Sequence, residues 1–479
     1  MGKIKLVWKK IVAFFIMVGE KLRKFFKVEQ RGSTLTKEFL AGITIFLAMA
    51  YILPVNSFML AATGLPVGGV FFATAVSAAI ATLIMGIFAN LPVALAPGMG
   101  LNAFFTYTLV NFGLGYSPEA ALAAVLVSGI LFLIISLTGL RKTIINAIPK
   151  GLKLSVGAGI GFFIAFIGFK NAGIIEGDGA TLVTLGNLAH PTVLLGLFGL
   201  ILVVVLYAFK FRFALITAIV STAVVGLILG ALGVDMMPAY DPQGMAGVWT
   251  GASETLFAAF GGFSELFSSW EALAVIFSLL FVDFFDTAGT LMAVGNQAGL
   301  INEEGVIEGG DHALIADSIG TIAGAMLGTS NVTSYIESST GIEQGARTGL
   351  ASVVVAILFI LSIFLYPVLS IFNGVVVGVN GFGDAIVFSP VTAMALIMVG
   401  TLMFAQLKDI DWEDTAIVIT GFFTIIVMIL SFSIAEGIAV GFVFYPIIMV
   451  AQGKAKKVSP VMFGLSLVFI LYFILKFAV

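Results

Sequence analysis

The chain has 479 residues, 60% hydrophobic and 10% charged, with a formal net charge of −3, whereas soluble domains carry roughly 25% charged residues. A mean hydropathy of +1.15 makes the lipid bilayer the first partner that composition demands, and basic residues confined to short clusters between apolar runs exclude nucleic-acid binding. The absence of cysteine and the presence of only two histidines rule out disulfides and thiolate metal sites and argue against a histidine-built haem or zinc centre, so no cofactor is expected.

In chain order, residues 1–37 come first. The stretch IKLVWKKIVAFFIMVGEKLRKFFKVEQ mixes Lys and Arg with Trp8, Phe14, Phe15, Phe25 and Phe26. It reads as an amphipathic helix on the cytoplasmic membrane face or as a plain basic topogenic tail, without a cleavable signal peptide. Apolar runs long enough to span a bilayer follow. Span one is expected at Glu38–Ser57 and span two at Val70–Asn90. Segment three, ANLPVALAPGMGLNAFFTYTLV, is apolar but broken by Pro92, Pro97, Gly98 and Gly100, which predicts extended backbone first and helix later. Spans four to seven are expected at Pro118–Thr138, Leu152–Ala172, Thr192–Lys210 and Phe213–Gly233, followed by a loop, Val234–Glu271, with an interfacial surface helix at Ser253–Phe267. Span eight is placed at Ala272–Gly295 and span nine at His312–Gly328. Segment ten, GTSNVTSYIESSTGIEQG, is too polar to face lipid. Spans eleven to fourteen are placed at Leu350–Phe372, Phe388–Leu407, Ala416–Phe432 and Ile434–Ala451. The last run, Pro460–Phe477, is either a fifteenth crossing or an interfacial tail.

Lys and Arg orient such a chain, because cytoplasmic loops are enriched in them. Arg141, Lys142, Lys150 and Lys153 follow span four, Lys210 and Arg212 span six, Arg347 segment ten, Lys408 span twelve, and Lys454, Lys456 and Lys457 span fourteen. Every cluster falls after an even number of crossings, which places the N-terminus in the cytoplasm of a plasma-membrane protein. An internal repeat accompanies this count. Ala75, Ser77, Met85, Asn90 and Gly100 recur as Ala316, Ser318, Met326, Asn331 and Gly341, each 241 residues later. Both copies run from an apolar span into an interrupted one. An odd number of spans per copy inverts the second copy relative to the first, and paired broken helices in inverted halves point to a transporter site at the midplane. The expected fold is therefore an all-α polytopic membrane protein of about 14 segments in a 7+7 inverted repeat. Its parts are 1–37 (N-terminal segment), 38–233 (first repeat), 234–271 (extracytoplasmic linker), 272–452 (second repeat) and 453–479 (hydrophobic tail).

Span eight carries Asp283 and Asp286, and no Lys or Arg occurs between Arg212 and Arg347. Unpaired acids in a membrane helix are functional candidates. Three residues apart, the two share a helix face, with Thr290 one turn beyond Asp286. Asp286 reads as a substrate contact and Asp283 as support, capping of a half-helix N-terminus being the structural alternative. Glu337 sits in the broken tenth segment with Ser334, Ser338, Ser339 and Thr340. Ser338, Ser339 and Thr340 read as caps, Glu337 as a ligand contact, and Ser338 is counted with both. In segment three, Asn102 offers an amide that donates and accepts, and Phe104–Phe105 offer aromatic faces, packing being the alternative for each ring. Asp317 is expected near the cytoplasmic start of span nine. No phosphate loop of the GxxxxGK[ST] type and no HExxH occurs, so neither an ATP-driven pump nor an enzyme is indicated and secondary transport remains.

Three blocks, APGMGLNAFFTY (96–107), DFFDTAGTLMAVGNQAGL (283–300) and ALIADSIGTIAGAMLGTSNVTSYIESSTGIEQGARTG (313–349), resemble the nucleobase–cation symporter-2 superfamily, specifically its AzgA-like adenine/guanine/hypoxanthine permease branch, over roughly residues 30–452. The resemblance implies a fourteen-helix fold with core and gate domains and a substrate lying between short strands in segments three and ten. It assigns Asp286 and Glu337 to the nucleobase and Asn102 to a polar position of the purine branch. Thr290 replaces the His or Asp of the uracil and xanthine branches, and Leu53–Asn56 (LPVN) stands where the xanthine/urate branch has Gln–His. The expected activity is proton-coupled import of adenine, guanine or hypoxanthine, with purine N–H groups donating to the two carboxylates, Asp286 and Glu337 as candidate proton carriers, and Phe104, Thr290 and Ser338 completing the contacts. A gate-domain homodimer is compatible with the resemblance. The alternatives are an inorganic-anion carrier of the sulfate or bicarbonate type, which two acids without a basic residue suit poorly, and a uracil or xanthine permease.

Overall fold

The computed structural model describes residues 17, 19–111, 114–138, 148–240, 244–268, 271–300, 307–379 and 385–478. Most of the N-terminal amphipathic stretch, and Arg141 and Lys142, lie outside the described residues. Among the described residues nine helices are long and apolar enough to cross a bilayer: the chain is a helical, multi-pass membrane protein. Span one is a single 27-residue crossing, Leu35–Ala61, jointed between Leu35–Met49 and Ile52–Ala61. The joint has a cause. Pro54 has no N–H for the carbonyl of Ala50 and its ring crowds that oxygen, so the helix yields at Ala50–Tyr51. Span two, Val67–Ile84, widens into a π-turn, Met85–Ala89, and stops at Asn90, whose φ of 51° is a left-handed conformation that Asn tolerates. Its Oδ1 accepts from Gly349 N at 2.8 Å and its Nδ2 donates to Phe26 O at 3.0 Å, so the end of span two ties down both the N-terminal segment and the start of span eleven.

Spans four to seven occupy Pro118–Thr138, Lys150–Asn171, Pro191–Ala208 and Ala214–Ala231, close to expectation. Span eight is Ala272–Ala298 and span nine Gly310–Leu327. Span eleven, Gly349–Ser362, continues as a 3-10 helix over Ile363–Phe372 around Pro367. Spans thirteen and fourteen are Thr415–Leu430 and Ile434–Ala451. Among the described residues six short strands join them: β1 (Leu95–Pro97), β2 (Ile175–Asp178), β3 (Leu182–Leu185), β4 (Val332–Ser334), β5 (Val375–Val379) and β6 (Ala385–Phe388). They pair antiparallel as β1 with β4, β2 with β3 and β5 with β6. Both halves thus share one order: a long helix (spans two and nine), a three-residue strand (β1, β4) and a short helix (Met99–Ala103, Ser339–Glu343).

Four expectations change. Span twelve does not begin at Phe388, which closes strand β6; its helix is Ala393–Phe404 with a 3-10 turn to Asp409. The hairpins β2–β3 and β5–β6 escaped prediction because their short apolar strands merge with the neighbouring spans. They meet at one end of the molecule, where Ser389 N donates to Asn171 O at 2.7 Å and Phe388 lies against Gly173. The Ser253–Phe267 piece is not a free surface helix. It comprises the end of Ala246–Thr255, a 3-10 turn at Ala258–Gly262 and Phe263–Ser268. Gly68 and Gly69 of span two admit the backbones of Gly247 and Gly251, Gly262 abuts Glu119 of span four, and Phe257 N donates to Met326 O at 2.7 Å. Small residues permit this close approach, so the loop clamps three spans and leaves only its other side, with Trp249, Phe260 and Phe267, exposed. Asp317, finally, is not at the helix start but two turns in and fully buried.

The last apolar run forms a helix, Pro460–Ala478, lying antiparallel along span fourteen. Ser466 Oγ donates to Phe442 O at 2.6 Å, and the Phe469 ring stands 5.6 Å from the rings of both Phe442 and Phe277.

Candidate functional site

The site is organised by a strand pair inside the helical bundle. Leu95 faces Ser334, Ala96 faces Thr333 and Pro97 faces Val332. Gly98 N donates to Asn331 O and Tyr335 N to Ala94 O, both at 2.9 Å, which extends the ladder at each end. Backbone at membrane depth must be satisfied by protein, and threonines do this for the outer edges. Thr82 of span two accepts from Leu95 N at 2.9 Å and donates to Leu95 O at 3.0 Å. Thr321 of span nine accepts from Val332 N at 3.1 Å, and its proton is shared between Val332 O at 3.2 Å and Asp283 Oδ2 at 3.0 Å. Asp283 Oδ2 also accepts from Asn331 Nδ2 at 2.9 Å. Asp283 is buried and holds spans eight and nine to segment ten.

Asp286, one turn on, is half-buried, as are Phe285 and Thr290, while Gly289 and Ala293 are exposed. These positions form one accessible strip on span eight. Thr333 of β4 stands against Asp286, and Glu337 is close enough to interact with it electrostatically. Glu337 is itself half-buried. Its Oε1 accepts from Tyr51 Oη at 2.6 Å, and its carbonyl accepts from Thr340 Oγ1 at 2.7 Å. Two carboxylates thus converge from span eight and segment ten beside the strand pair, each reachable. Carboxylates accept only, so a neutral ligand carrying N–H groups suits them.

The other expected residues fall differently. Thr290 lies on the accessible strip. Asn102 is fully buried, with Oδ1 accepting from Ser330 Oγ and Nδ2 lacking an acceptor among the described residues. Phe104 is fully buried in the core, a packing position rather than a cavity wall. Ser338 is buried and its Oγ accepts from Ala94 N at 3.0 Å, so its hydroxyl fastens segment ten to the approach of β1. Two residues that sequence reasoning passed over belong here. Tyr51 sits at the joint of span one, and Pro54 was the signal that could have marked it. Lys153 of span five stands with Nζ 5.1 Å from the centroid of Phe285. In the sequence it reads only as part of a topogenic cluster.

Jointed helices around a central strand pair, with polar groups gathered there, define a membrane transporter. Two solved structures share the fold. The transmembrane domain of the cyanobacterium bicarbonate transporter BicA superposes with a TM-score of 0.56 at 15% identity, over 86% of this chain and 97% of that one. SLC26A9 gives 0.57 at 13% identity, over 87% of this chain and 66% of that one. The sequence profile of the permease family (Xan_ur_permease) matches residues 36–436, and the chain belongs to that family. It is a permease, not an enzyme. It is 46% identical to the guanine/hypoxanthine permease PbuG of Bacillus subtilis, over 95% of this chain and 99% of that protein. It is 38% identical to the adenine permease AdeP of Escherichia coli, over 94% and 95%.

Proposed function

We propose that this chain is a secondary transporter of the nucleobase–cation symporter-2 type that imports purine nucleobases, adenine, guanine or hypoxanthine, with a proton. The observation that carries the reading is the convergence of Asp286 and Glu337 beside β1–β4. Purine N–H groups donate to these carboxylates, and hydrogen bonds to charged groups contribute about 1.5–3 kcal/mol. Thr290 borders the ligand on the accessible strip, and Tyr51 fixes Glu337 so that its second oxygen is free for the purine. Either acid carries the coupling proton. Names of relatives at 46% and 38% identity support the substrate class.

The finer architecture belongs to the same reading. Residues 38–233 and 272–452 form two inverted seven-segment repeats, supported by the shared order of helix, strand and short helix in each. A core domain carries the acids and a gate domain slides against it, with Lys153 over Phe285 as one contact between them. Residues 1–37 lie on the cytoplasmic side. An inorganic-anion carrier is the rival; fold likeness to BicA and SLC26A9 says nothing of cargo, and two accessible acids disfavour it by repelling an anion. Uptake of radiolabelled hypoxanthine by a purine-transport-deficient cell, with unlabelled adenine, guanine, uracil, xanthine and sulfate as competitors at two pH values, tests the reading. Competition by the purines and faster uptake at the lower external pH are expected. Competition by sulfate or uracil but not by the purines contradicts it.

A further inference from the structure

Spans eight and nine carry the same spacing, Asp283-x-x-x-Thr287 and Asp317-x-x-x-Thr321. Each places a carboxylate and a hydroxyl one turn apart on one helix face, and the two faces meet reciprocally. Thr321 donates to Asp283 Oδ2 at 3.0 Å, and Thr287 stands beside Asp317, short of hydrogen-bond geometry. All four side chains are at most 1% exposed. Asn331, equally buried, directs its Nδ2 at Asp283 Oδ2 at 2.9 Å. Four oxygens are then left over: Asp283 Oδ1, both carboxylate oxygens of Asp317 and Asn331 Oδ1 have no hydrogen-bond partner among the described residues. Every one is an acceptor, so no rearrangement among them satisfies any.

We propose that Asp283 and Asp317, with the Asn331 carbonyl, hold one monovalent cation, a proton or a sodium ion, at a buried site distinct from the acids assigned to the purine. Two neighbouring buried carboxylates in an apolar interior do not both ionise without a counter-charge. The groups facing the pair supply none. Asp286, from span eight, is itself acidic, span four offers Ser128, and segment ten offers Asn331. The described residues contain no group of three acids or histidines suited to a metal ion, so charge and donor set favour a monovalent cation over a divalent one. A proton makes one carboxyl a donor to the other. A sodium ion draws on the same oxygens and leaves both acids ionised.

The test is infrared difference spectroscopy on the purified D286N/E337Q protein, which keeps the pair and removes the two acids of the purine reading, so its outcome does not depend on that reading. With sodium replaced by choline, a protonated-carboxyl band of one carboxyl is expected at neutral pH, lost when Asp317→Asn is added. A band indifferent to added NaCl identifies the proton as the occupant, and a band that fades with NaCl identifies sodium; either result supports the site. Asp283→Asn in the same background replaces Asp317→Asn if the latter does not elute as a single species. If neither does, the band in the D286N/E337Q protein decides. No band without sodium, or a band and sodium response unchanged by these substitutions, overturns the proposal.

Discussion

Tyr51 shows how much of the site turns on one side chain. Its phenol donates to Glu337 Oε1 at 2.6 Å, from a helix that the sequence separates from Glu337 by 286 residues. A net hydrogen bond contributes about 1 kcal/mol. Tyr51→Phe is therefore expected to raise the half-saturating purine concentration about fivefold with a normal amount of protein in the membrane, as measured by initial uptake rates against substrate concentration. Asp286→Asn removes a charged acceptor and is expected to weaken purine binding about 10- to 100-fold by equilibrium binding to purified protein. Phe104→Ala separates packing from recognition. The ring is fully buried, and its truncation costs about 3–5 kcal/mol of stability. Lower thermal stability in detergent, with unchanged purine affinity of the folded fraction, is expected. At this scale candidates are readable in the sequence where chemistry stands out from its surroundings: Asp286 and Glu337 are acids in apolar or broken membrane segments. Tyr51, Asn102 and Phe104 were not, since an aromatic or amide in a span looks alike whether it packs, fastens or binds. Only the fold brings Tyr51 to Glu337 or turns Phe104 inward.

At the scale of elements, prolines and glycines announced segment three and polarity announced segment ten, and β1 and β4 lie within those two segments. Their pairing, and the threonines that close their edges, needed tertiary contacts. Thr82→Val leaves the N–H and carbonyl of Leu95 without that partner at about 1–3 kcal/mol, and a lowered unfolding temperature in detergent is the expected result. The hairpins were hidden for a different reason: VVVGV at β5 is apolar and short, and period alone cannot distinguish it from the end of a helix. The terminal helix was undecidable from hydropathy but gains a partner in span fourteen. From Pro460 to Phe469 it rises about 14 Å, which takes it to the level of Phe442 and Phe277. We propose that it crosses the membrane. The chain has no native cysteine, so single cysteines report cleanly. A membrane-impermeant maleimide is expected to label Lys476→Cys on intact cells and Lys456→Cys only after permeabilisation. Labelling of both only after permeabilisation places the helix on the inner face instead.

For the whole molecule, the apolar runs anticipated a multi-pass helical membrane protein, and the long apolar helices among the described residues agree with it. The clamp of the 246–268 segment on spans two, four and nine was not foreseeable, because it depends on which small residues face which backbone. On the proposed function, two acids at the strand pair carry a purine inward together with a proton. Purified protein in liposomes, given an inward proton gradient and radiolabelled hypoxanthine, tests it most directly. A tenfold proton gradient is expected to accumulate the purine about tenfold when one proton moves with each molecule, with collapse on adding a protonophore and no accumulation by the D286N protein. Equal internal and external purine at all imposed gradients, or undiminished accumulation by D286N, contradicts the claim.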